Sequence, residues 1–390
     1  MSMFISCDWG TSTFRLRVVG ITGAPDSAAP NAGTVKPDIG IVPPNVLATL
    51  STHAGIAATH AAWQASGLPP SEREAFYREV LEKAIGELAG RAQAGGEALD
   101  AGGRNHAAVD GASGLDLHGI PVVISGMASS SIGMLELPYH PLPFDASGAD
   151  LRPTTLPPTI ASPRTLFLLP GVRSADDVMR GEETQLIGCG AANVPGERVF
   201  VFPGTHSKHI IVRNGRAVDF KTYMTGELFG LLARQSILAG SVTAPEAAGS
   251  GSASAKTAAS APSAAFYAGV AAARESGLLH NAFLARTNHL FHKYGKEDNY
   301  HFLSGLLIGE ELMELLGHPR ENGAAFSSRS FRPITLVASS PLREAYAAAL
   351  ARLGVGQPTV IDADEALLAG HCATIARFGA TIAPNKEHKP

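Results

Sequence analysis

Two segments of this chain repeat one pattern of strand, glycine-containing loop and strand. They are FISCDWGTSTFRLRVV (residues 4–19) and VFVFPGTHSKHIIV (residues 199–212), and they lie roughly 195 residues apart, about one domain length. Each loop presents Gly-Thr with a serine hydroxyl close behind it, in Gly10-Thr11-Ser12 and in Gly204-Thr205-His206-Ser207. Glycine lets the backbone approach an oxygen closely, and exposed N–H groups and hydroxyls bind anions. The repeat therefore predicts two α/β halves whose loops hold one polyphosphate from both sides.

The composition is that of a folded protein with more than one domain. The 390 residues are 45% hydrophobic and 17% charged, which excludes a disordered chain and predicts two or three domains. Lysine and arginine number 31 against 35 aspartates and glutamates, a formal net charge of −4. This balance argues against a surface that binds nucleic acid.

Cysteine usage and apolar segments predict the cellular compartment. Cys7, Cys189 and Cys372 lie far apart and form no C-x-x-C pair, which favours a reducing environment. The N-terminal apolar run stops at Asp8, so no signal peptide is expected. Prolines and polar residues interrupt the uncharged stretch 39–70, which predicts no membrane span. We expect a cytoplasmic protein without membrane or nucleic-acid partners, and both a monomer and a homodimer stay open.

Hydrophobic periodicity and turn residues predict the secondary structure. Strands are expected at Met3–Asp8, Phe14–Val19, Pro121–Ser125, Thr165–Leu169, Arg198–Phe202, Lys208–Arg213, Ala217–Tyr223, Pro333–Ala338 and 358–361, with a hairpin turn at Asn214-Gly215. Helices are expected at Ser71–Leu88 (with Ser71 as the N-cap), Gly181–Gly190, 264–275, 279–293, 299–316, 341–353 and 363–378. Loops are expected at 22–37, 89–118, 244–265 and 319–331.

Several nucleotide-binding and hydrolytic signatures are absent from the sequence. Gly295-Lys296 has no glycine five residues upstream, so there is no P-loop, and no G-x-G-x-x-G follows a strand. Neither H-E-x-x-H nor G-x-S-x-G occurs. The pairs His206/His209 and His289/His292 lack metalloprotease spacing, so turn and surface histidines are the simpler interpretation.

Carboxylates beside the glycine loops suggest phosphoryl-transfer chemistry. Asp8 ends a buried strand, where it can hold Mg²⁺ directly or through water; an aspartate that only accepts turn N–H groups is the alternative. Glu182-Glu183 opens an apolar helix, and either glutamate could accept the proton of an attacking hydroxyl. Mg²⁺ with Lys208 or Arg180 would offset the developing charge. Helix-start electrostatics alone would also explain the two glutamates.

Seven stretches of the sequence, spread nearly end to end, carry a family pattern. They are CDWGTSTFR (7–15), SGMASSSIGMLELPY (125–139), LPGVRSADDVMRGEETQLIG (169–188), FPGTHSKHIIV (202–212), MTGELF (224–229), FLSGLLIGEEL (302–312) and LVASSPLREAYAAAL (336–350). In this order they resemble the 2-dehydro-3-deoxygalactonokinase family, sugar-acid kinases of the actin/hexokinase-like ATPase superfamily. MRGEETQLIG, PGTHSKH and MTGEL together are very specific to that family.

The resemblance implies a fold and a reaction. The fold is α/β, with two RNase H-like domains of the actin/hexokinase type around a nucleotide cleft that closes on the substrate. The reaction is ATP- and Mg²⁺-dependent phosphorylation of the 6-hydroxyl of 2-dehydro-3-deoxy-D-galactonate, feeding galactonate catabolism to pyruvate and glyceraldehyde 3-phosphate. Residues 1–195 plus 362–390 are expected to carry the first phosphate loop and the sugar-acid site. Residues 196–361 are expected to carry the second phosphate loop and the adenosine turn.

Carried over by position, the resemblance also implies site residues. The phosphate loops are Asp8, Gly10, Thr11 and Ser12, and Gly204, Thr205, His206 and Ser207; the adenosine turn is Ala338, Ser339 and Ser340. The sugar acid is expected at the loop Ser125–Gly133, through Gly126, Met127, Ser129 and Ser130, with Arg15, Arg180, Thr225 and Glu227 beside it. The catalytic set is Asp8, Glu182, Glu183 and Lys208. The glutamate role is inferred from exopolyphosphatases, whose G-E-E helix start is similar to Gly181-Glu182-Glu183.

Two positions depart from the wider superfamily. Pro203 stands where the second loop usually carries an aspartate, so Lys208 is expected to supply charge there. The turn Ala338–Ser340 lacks the usual glycines. Two alternatives stay open: a kinase of the same fold for another sugar acid or hexose, and a non-catalytic sugar-sensing regulator.

Overall fold

The structure, a computed structural model, consists of two compact units. It describes residues 2–21, 45–93, 115–245, 262–316, 332–340 and 342–379. Unit 1 is Met1–Pro195, Val212–Asp219 and Asp364–Pro390, and unit 2 is Gly196–Ile211 and Phe220–Ala363. The predicted loops 22–37 and 319–331, and most of 89–118 and 244–265, lie outside the described residues.

Every predicted strand and helix has a counterpart in the structure. The strands are β1 (Ser2–Trp9), β2 (Phe14–Ile21), β3 (Asn45–Thr52), β4 (Val122–Gly126), β5 (His140–Pro141), β6 (Phe144–Asp145), β7 (Thr154–Leu156), β8 (Leu166–Leu168), β9 (Val172–Arg173), β10 (Val178–Met179), β11 (Glu197–Phe202), β12 (Ser207–Arg213), β13 (Arg216–Tyr223), β14 (Ile334–Val337) and β15 (Thr359–Ile361). The α-helices are α1 (Ile56–Ser66), α2 (Arg73–Gln93), α3 (Glu182–Gly188), α4 (Thr225–Gln235), α5 (Ala264–Ala272), α6 (Leu278–Leu290), α7 (Lys296–Met313), α8 (Leu342–Leu353) and α9 (Ala363–Phe378).

Unit 1 is built around a sheet of order β3-β2-β1-β4-β8-β7. β1, β2 and β3 form an antiparallel meander, whereas β4 runs parallel to β1 and β8 parallel to β4. Both faces of β1 are covered: Ile5 and Trp9 pack with Tyr77 of α2, and Phe4 packs with Leu368 of α9. Because both faces are buried, this strand is a nearly continuous apolar run in the sequence.

The sheet of unit 2 has the order β15-β14-β11-β12-β13, with β11, β14 and β15 parallel. Asn214 and Gly215 join β12 to β13, and their φ angles of 49° and 76° are those of a tight hairpin turn. The tip of this hairpin is grouped with unit 1, where Ala217 pairs with Phe144 of β6. The order of the sheet repeats β8-β4-β1-β2-β3 of unit 1, so the predicted repeat of two α/β halves is confirmed.

The core of unit 2 lies between its sheet and three helices. Val201 of β11 and Leu336 of β14 pack with Phe266 of α5, Ile308 of α7 and Tyr346 of α8. These side chains come from positions that the 3.6-residue helical period and the buried-strand runs mark as apolar. The packing sets the carboxyl ends of β11 and β14, where the predicted site residues follow, on a rigid support.

Three local predictions are wrong or incomplete. Ser71 is not a helix N-cap: it lies inside the 3-10 turn Pro70–Glu72, because proline suits the first position of that turn. The stretch 39–70 contains β3 and α1, neither of which was predicted. An unpredicted helix, α4, begins within the segment MTGELF.

Among the described residues, no helix is long and apolar enough to cross a membrane.

Candidate active site

The first candidate phosphate loop joins β1 to β2. Its turn is closed by a hydrogen bond from the Gly10 N–H to the Thr13 carbonyl oxygen, at 2.9 Å. The carbonyl oxygens of Gly10 and Thr11 accept hydrogen bonds from the first two N–H groups of α1, at 2.9 and 3.0 Å. Thr11 and Ser12 at the tip are exposed. The start of α1 therefore fixes the loop and leaves two hydroxyl-bearing residues at the surface.

The second candidate loop, between β11 and β12, is supported in the same way. The Glu227 N–H at the start of α4 donates to the Thr205 carbonyl oxygen at 3.0 Å. A Cβ at Gly226 would lie 2.6 Å from the Gly204 carbonyl oxygen, so glycine is needed where α4 meets the loop. Thr205 and His206 are exposed at the tip. The two hairpins thus share their support by a helix N-terminus as well as their sequence pattern.

Ser207, predicted to contact the nucleotide, has its side chain hydrogen-bonded within the protein. The side chain is fully buried, and its hydroxyl lies 3.0 Å from the Tyr346 hydroxyl and 3.3 Å from the Gly204 N–H. Lys208 is also buried, and its ammonium group donates to the His206 carbonyl oxygen at 3.0 Å. Both side chains therefore hold the second loop from below.

The loop Ser125–Gly133 leaves the sheet beside Asp8. β1 and β4 are parallel, with Asp8 opposite Ser125 and Trp9 opposite Gly126. Gly126 has a φ of 84°, and a Cβ there would lie 2.8 Å from the Trp9 carbonyl oxygen, so only glycine fits. Because the carboxyl ends of parallel strands meet at one sheet edge, Asp8 and this loop share one corner of unit 1.

The predicted substrate residues of this loop form a short 3-10 turn. It spans Met127–Ser129, and Ser129 and Ser130 are buried. The Ser130 hydroxyl donates to the Met127 carbonyl oxygen at 2.7 Å. The Ser129 hydroxyl accepts a hydrogen bond of 2.5 Å from Nη1 of Arg180. Both serine hydroxyls therefore form hydrogen bonds within the protein.

The start of α3 lies against the same loop. Gly181 has a φ of 111°, and a Cβ there would lie 3.7 Å from the Cα of Gly126. The Glu183 carboxylate accepts the Gly181 N–H at 2.7 and 2.9 Å and is buried. Glu182 is half-buried, and its carboxylate accepts the main-chain N–H of Arg180 at 3.1 Å. The two adjacent glutamates thus differ in their access to a substrate.

The pKa of Glu183 is raised to about 7: burial and the negative charge of Glu182 raise it, and hydrogen bonds from N–H groups and the Thr184 hydroxyl oppose the shift. A carboxyl group with a pKa near neutrality can exchange a proton at physiological pH. Glu183 is only 2% exposed, however, so a substrate hydroxyl would reach Glu182 more readily. Glu183 instead fixes the turn that presents Glu182.

Asp8 lies within a cluster of charged side chains. One member of the cluster, Asp364, was not among the predicted site residues. Asp8 Oδ2 is 3.9 Å from Arg15, but Arg15 lies closer to Asp364 of α9, at 2.7 Å, and Arg17 is 3.0 Å from the same carboxylate. Burial raises the pKa of Asp8; Arg15 and Arg17 oppose the shift, and the charges of Asp364 and Glu182 add to it. Arg15, predicted to contact the sugar acid, is therefore paired within unit 1.

Glu311 supports the second loop through a buried carboxylate. It was not among the predicted site residues. Glu311 of α7 accepts hydrogen bonds from His209 Nε2 at 2.8 Å, the Tyr346 hydroxyl at 2.6 Å and the Thr225 hydroxyl at 2.5 Å. Through Tyr346 it is linked to Ser207. Glu311 lies in a segment with a helical pattern, and this pattern alone does not indicate that a glutamate is buried.

The remaining predicted residues of unit 2 lie around this support. Glu227 accepts a hydrogen bond of 2.5 Å from His206 Nε2. Ala338, in the predicted adenosine turn, is buried, and its N–H donates to the Ile361 carbonyl oxygen at 3.1 Å. The Ser339 carbonyl oxygen accepts the Arg343 N–H at 3.2 Å, whereas Ser340 is exposed. The strand–turn–helix form expected for this turn is therefore present between β14 and α8.

The structure brings the predicted residues together in two groups. In unit 1, Asp8, Gly126–Ser130 and Arg180–Glu183 meet at the carboxyl ends of β1 and β4; we call this set the β1/β4 corner. In unit 2, Gly204–Lys208 lies against the start of α4, which carries Thr225 and Glu227. Thr225 and Glu227, predicted to contact the sugar acid, thus lie with the second loop in unit 2.

The sequence of this chain is similar to proteins of one kinase family. Residues 74–374 match the family model described as 2-keto-3-deoxy-galactonokinase. A protein of Rhizobium meliloti (strain 1021), named as a probable 2-dehydro-3-deoxygalactonokinase, DgoK1, is 35% identical over 257 residues, which cover 64% of this chain and 76% of that protein. The 2-dehydro-3-deoxygalactonokinase of Escherichia coli (strain K12) is 32% identical over 255 residues, with the same two shares.

A solved structure is similar over nearly the whole chain. It is a crystal structure of a protein from Sinorhizobium meliloti, described as a candidate 2-dehydro-3-deoxygalactonokinase. The two share 28% of their residues and superpose with a TM-score of 0.65, covering 99% of this chain and 100% of the other. The similarity therefore includes the first candidate phosphate loop, which precedes the range that the family model matches.

Proposed function

Because the chain belongs to the 2-keto-3-deoxy-galactonokinase family, whose model matches residues 74–374, we propose that it transfers the γ-phosphoryl group of ATP to the 6-hydroxyl of 2-dehydro-3-deoxy-D-galactonate in galactonate catabolism. The match carries the proposal. Its range contains Gly126–Ser130, Arg180–Glu183 and Gly204–Lys208, the segments with which the described structure builds its two groups of candidate residues. The family match and the position of these segments within it support the proposal.

The two hairpins are proposed to bind the phosphates of ATP. Thr11 and Ser12 in the first loop, and Thr205 and His206 in the second, are exposed at tips that helix N-termini support. Exposed hydroxyls and main-chain N–H groups at tight turns are the groups that bind phosphate oxygens. Lys208 lies beneath the second loop and would add positive charge there.

The adenosine is proposed to bind at the turn Ala338–Ser340. Because Ala338 is buried and its N–H is already bonded, Ser340 and the main chain of the turn would make the contacts. The first phosphate loop and the sugar-acid site would then belong to unit 1, and the second loop and the adenosine turn to unit 2.

Mg²⁺ is proposed to bind at Asp8. Magnesium commonly takes one or two carboxylates, with phosphate oxygens and water as the remaining ligands. The Asp8 side chain is 24% exposed, which leaves a carboxylate accessible at the end of β1, and Glu182 is near enough to raise its pKa. The donor set therefore fits the ion, which when bound would offset negative charge on the phosphates during transfer.

Glu182 is proposed as the group that accepts the proton of the substrate hydroxyl. A general base must lie within hydrogen-bond reach of the proton it takes. Glu182 is half-buried at the β1/β4 corner, whereas Glu183 is buried and bonded to the Gly181 N–H. Glu183 is therefore proposed as the residue that holds the helix start in place.

The compartment is proposed to be the cytoplasm. Cys7 and Cys189 are buried free thiols and Cys372 is a half-buried one, so no disulfide joins these three residues. Free thiols of this kind persist in reducing surroundings.

The proposal is tested by measuring ADP release from ATP and Mg²⁺ with a panel of substrates. The panel contains 2-dehydro-3-deoxy-D-galactonate, related keto-deoxy sugar acids and neutral hexoses. We expect turnover with the galactonate derivative above all others. A higher kcat/KM for a hexose would favour the alternative kinase, and no ADP release with any compound would refute a kinase.

A substitution at Asp8 tests the mechanism. Asp8→Asn keeps the shape of the side chain and removes the charge that would hold Mg²⁺, so we expect kcat to fall by about 10²–10⁴-fold with an unchanged thermal midpoint. Asp116→Asn, at an exposed loop position of unit 1, is the matched control and should keep full activity. Near-normal turnover of Asp8→Asn would remove Asp8 from the mechanism.

A further inference from the structure

Two side chains hold Arg180 in one orientation: Ser129, which belongs to the β1/β4 corner, and Tyr139. Nη1 of Arg180 donates to the Ser129 hydroxyl at 2.5 Å. The guanidinium carbon lies 4.2 Å from the centroid of the Tyr139 ring, a distance at which a cation interacts favourably with an aromatic face. Arginine normally loses much side-chain freedom when it binds a ligand. Here that freedom is already lost before any ligand arrives.

No carboxylate among the described residues forms an ion pair with Arg180. Other arginines of unit 1 are paired: Arg15 and Arg17 with Asp364, and Arg164 with Glu82. Arg180 forms no ion pair with any residue that the structure describes, and its buried Nε has no hydrogen-bond partner among them. A half-buried guanidinium in this state favours an anionic ligand, because Ser129 and Tyr139 offset only part of the cost of desolvation and no described carboxylate offsets the rest.

The position of Arg180 points to the acceptor substrate. It is joined to the loop Gly126–Ser130 through Ser129, and the next residues are Gly181 and Glu182. Under the proposed function, Glu182 takes the proton from one end of the sugar acid. The other end of that substrate carries a carboxylate, the group that a guanidinium binds through two parallel hydrogen bonds.

We propose that Arg180 binds the C1 carboxylate of the sugar acid and thereby makes the kinase selective for acids over neutral sugars. The assignment rests on the proposed function and deepens it. Tyr139 and Ser129 orient the guanidinium, and its N–H groups not used by Ser129 receive the carboxylate. Arg180 is then a binding residue, with no part in proton transfer.

A different role for the same residue makes a different prediction. Arg180 could instead stabilise charge on the transferred phosphoryl group. Loss of such a contact would lower kcat for every acceptor, charged or neutral. Loss of a carboxylate contact would raise KM for the acid and leave a neutral acceptor unaffected.

The experiment compares the acid with its neutral C1 carboxamide as acceptors. For the wild type we expect kcat/KM to be at least about 100-fold higher for the acid, equivalent to about 2.8 kcal/mol at 1.4 kcal/mol for each factor of ten. For Arg180→Gln we expect kcat/KM for the acid to fall about 100-fold, mainly through KM, with an unchanged value for the carboxamide. Equal losses on both acceptors, or a loss confined to kcat, would overturn the proposal.

Two further variants keep the result interpretable. Arg180→Lys retains the positive charge but cannot donate two parallel hydrogen bonds, so we expect kcat/KM to fall about tenfold for the acid and to stay unchanged for the carboxamide. If Arg180→Gln does not fold, Arg180→Lys provides the test. Arg173→Gln, at an exposed position on β9, is the control and should match the wild type with both acceptors. The thermal midpoint of each variant reports on folding.

Direct binding separates this inference from the function on which it rests. Titration calorimetry with the acid and the carboxamide, in the absence of ATP, measures the preference without turnover. Tight binding of the acid that Arg180→Gln abolishes supports the assignment even if ADP release fails. A wild-type enzyme that phosphorylates both acceptors equally well, and binds them equally, refutes it while leaving the kinase in place.

Discussion

Removal of the Glu311 carboxylate is expected to destabilise unit 2 strongly and to weaken ATP binding. The residue is 4% exposed, and its two oxygens accept hydrogen bonds from His209, Thr225 and Tyr346. Burial and the Glu311 charge both raise the pKa of Tyr346 well above its ordinary value, so its hydroxyl remains a donor. All three donors would lose their acceptor in Glu311→Ala.

The magnitude follows from the burial of those donors. Each buried donor left without a partner costs about 1–3 kcal/mol, and three donors lose their acceptor here. We therefore expect Glu311→Ala to lower the free energy of unfolding by about 3–5 kcal/mol. Glu311→Gln keeps the volume but replaces one acceptor oxygen with a donor, so we expect a loss of about 2 kcal/mol.

Urea unfolding, followed by far-ultraviolet circular dichroism and by tyrosine fluorescence, measures these losses. The same variants should raise KM for ATP more than KM for the sugar acid, because Tyr346 connects Glu311 to Ser207 under the second loop. Glu310→Gln is the matched control on the same helix. Burial raises the pKa of Glu310, and one of its oxygens is buried without a partner among the described residues.

Because Glu310 gains nothing from its charge in the folded state, Glu310→Gln should be neutral or slightly stabilising. A free energy of unfolding for Glu311→Ala within about 0.5 kcal/mol of the wild type would refute the reasoning, since it would mean that the three donors find other partners. Equal effects of substitution at the two adjacent glutamates would refute it as well.

Two further predictions concern stability in unit 1. The folded pKa of Glu183 is raised from an ordinary 4.5 to about 7, so the folded state binds the proton more tightly and stability falls as pH rises across that window, by up to about 3 kcal/mol. We therefore expect the stability of Glu183→Gln relative to the wild type to be greater at pH 8 than at pH 5, as measured by the free energy of unfolding. The same pH dependence in both proteins would contradict a raised pKa of Glu183. A methyl group at Gly188 of α3 would overlap the Ala366 carbonyl oxygen of α9, so Gly188→Ala should lower the thermal midpoint by an amount equivalent to about 1–3 kcal/mol. Gly86→Ala, at an exposed position of α2 with open space, should raise it slightly, and a similar shift for both variants would argue against close packing of α3 on α9.

Local sequence patterns predict most elements of this fold. The alternation in β2, the apolar runs of β1 and β11 and the Asn214-Gly215 turn each act within a few residues, so the pattern and the structure agree there. β3 and α1 escape prediction because few of their residues are buried: Ala48 and Leu50 in β3, and Ile56 and Thr59 in α1. The strands β5–β7, β9 and β10, of two or three residues each, are too short to leave a pattern.

The candidate site is predicted in part. The two loops, the Gly126 turn and the glutamates of α3 are marked by glycines and by acidic residues next to apolar runs, which are local signals. Asp364 and Glu311 carry no such signal, because a carboxylate at the start or in the middle of a helix is common on solvent-exposed faces. Their importance arises only from the groups that pack against them.

The sequence alone determines the repeated hairpins, the turns that need glycine and the residue types that can bind phosphate and sugar acid. Tertiary structure decides which charges remain for a ligand. Arg15 and Arg180 are equivalent as residues, yet Arg15 is neutralised by Asp364, 349 positions away, whereas Arg180 is fixed by Ser129, 51 positions away, without an anion among the described residues. The physical reason is that periodicity records local backbone preference and burial, whereas the partner of a charge depends on how distant elements pack.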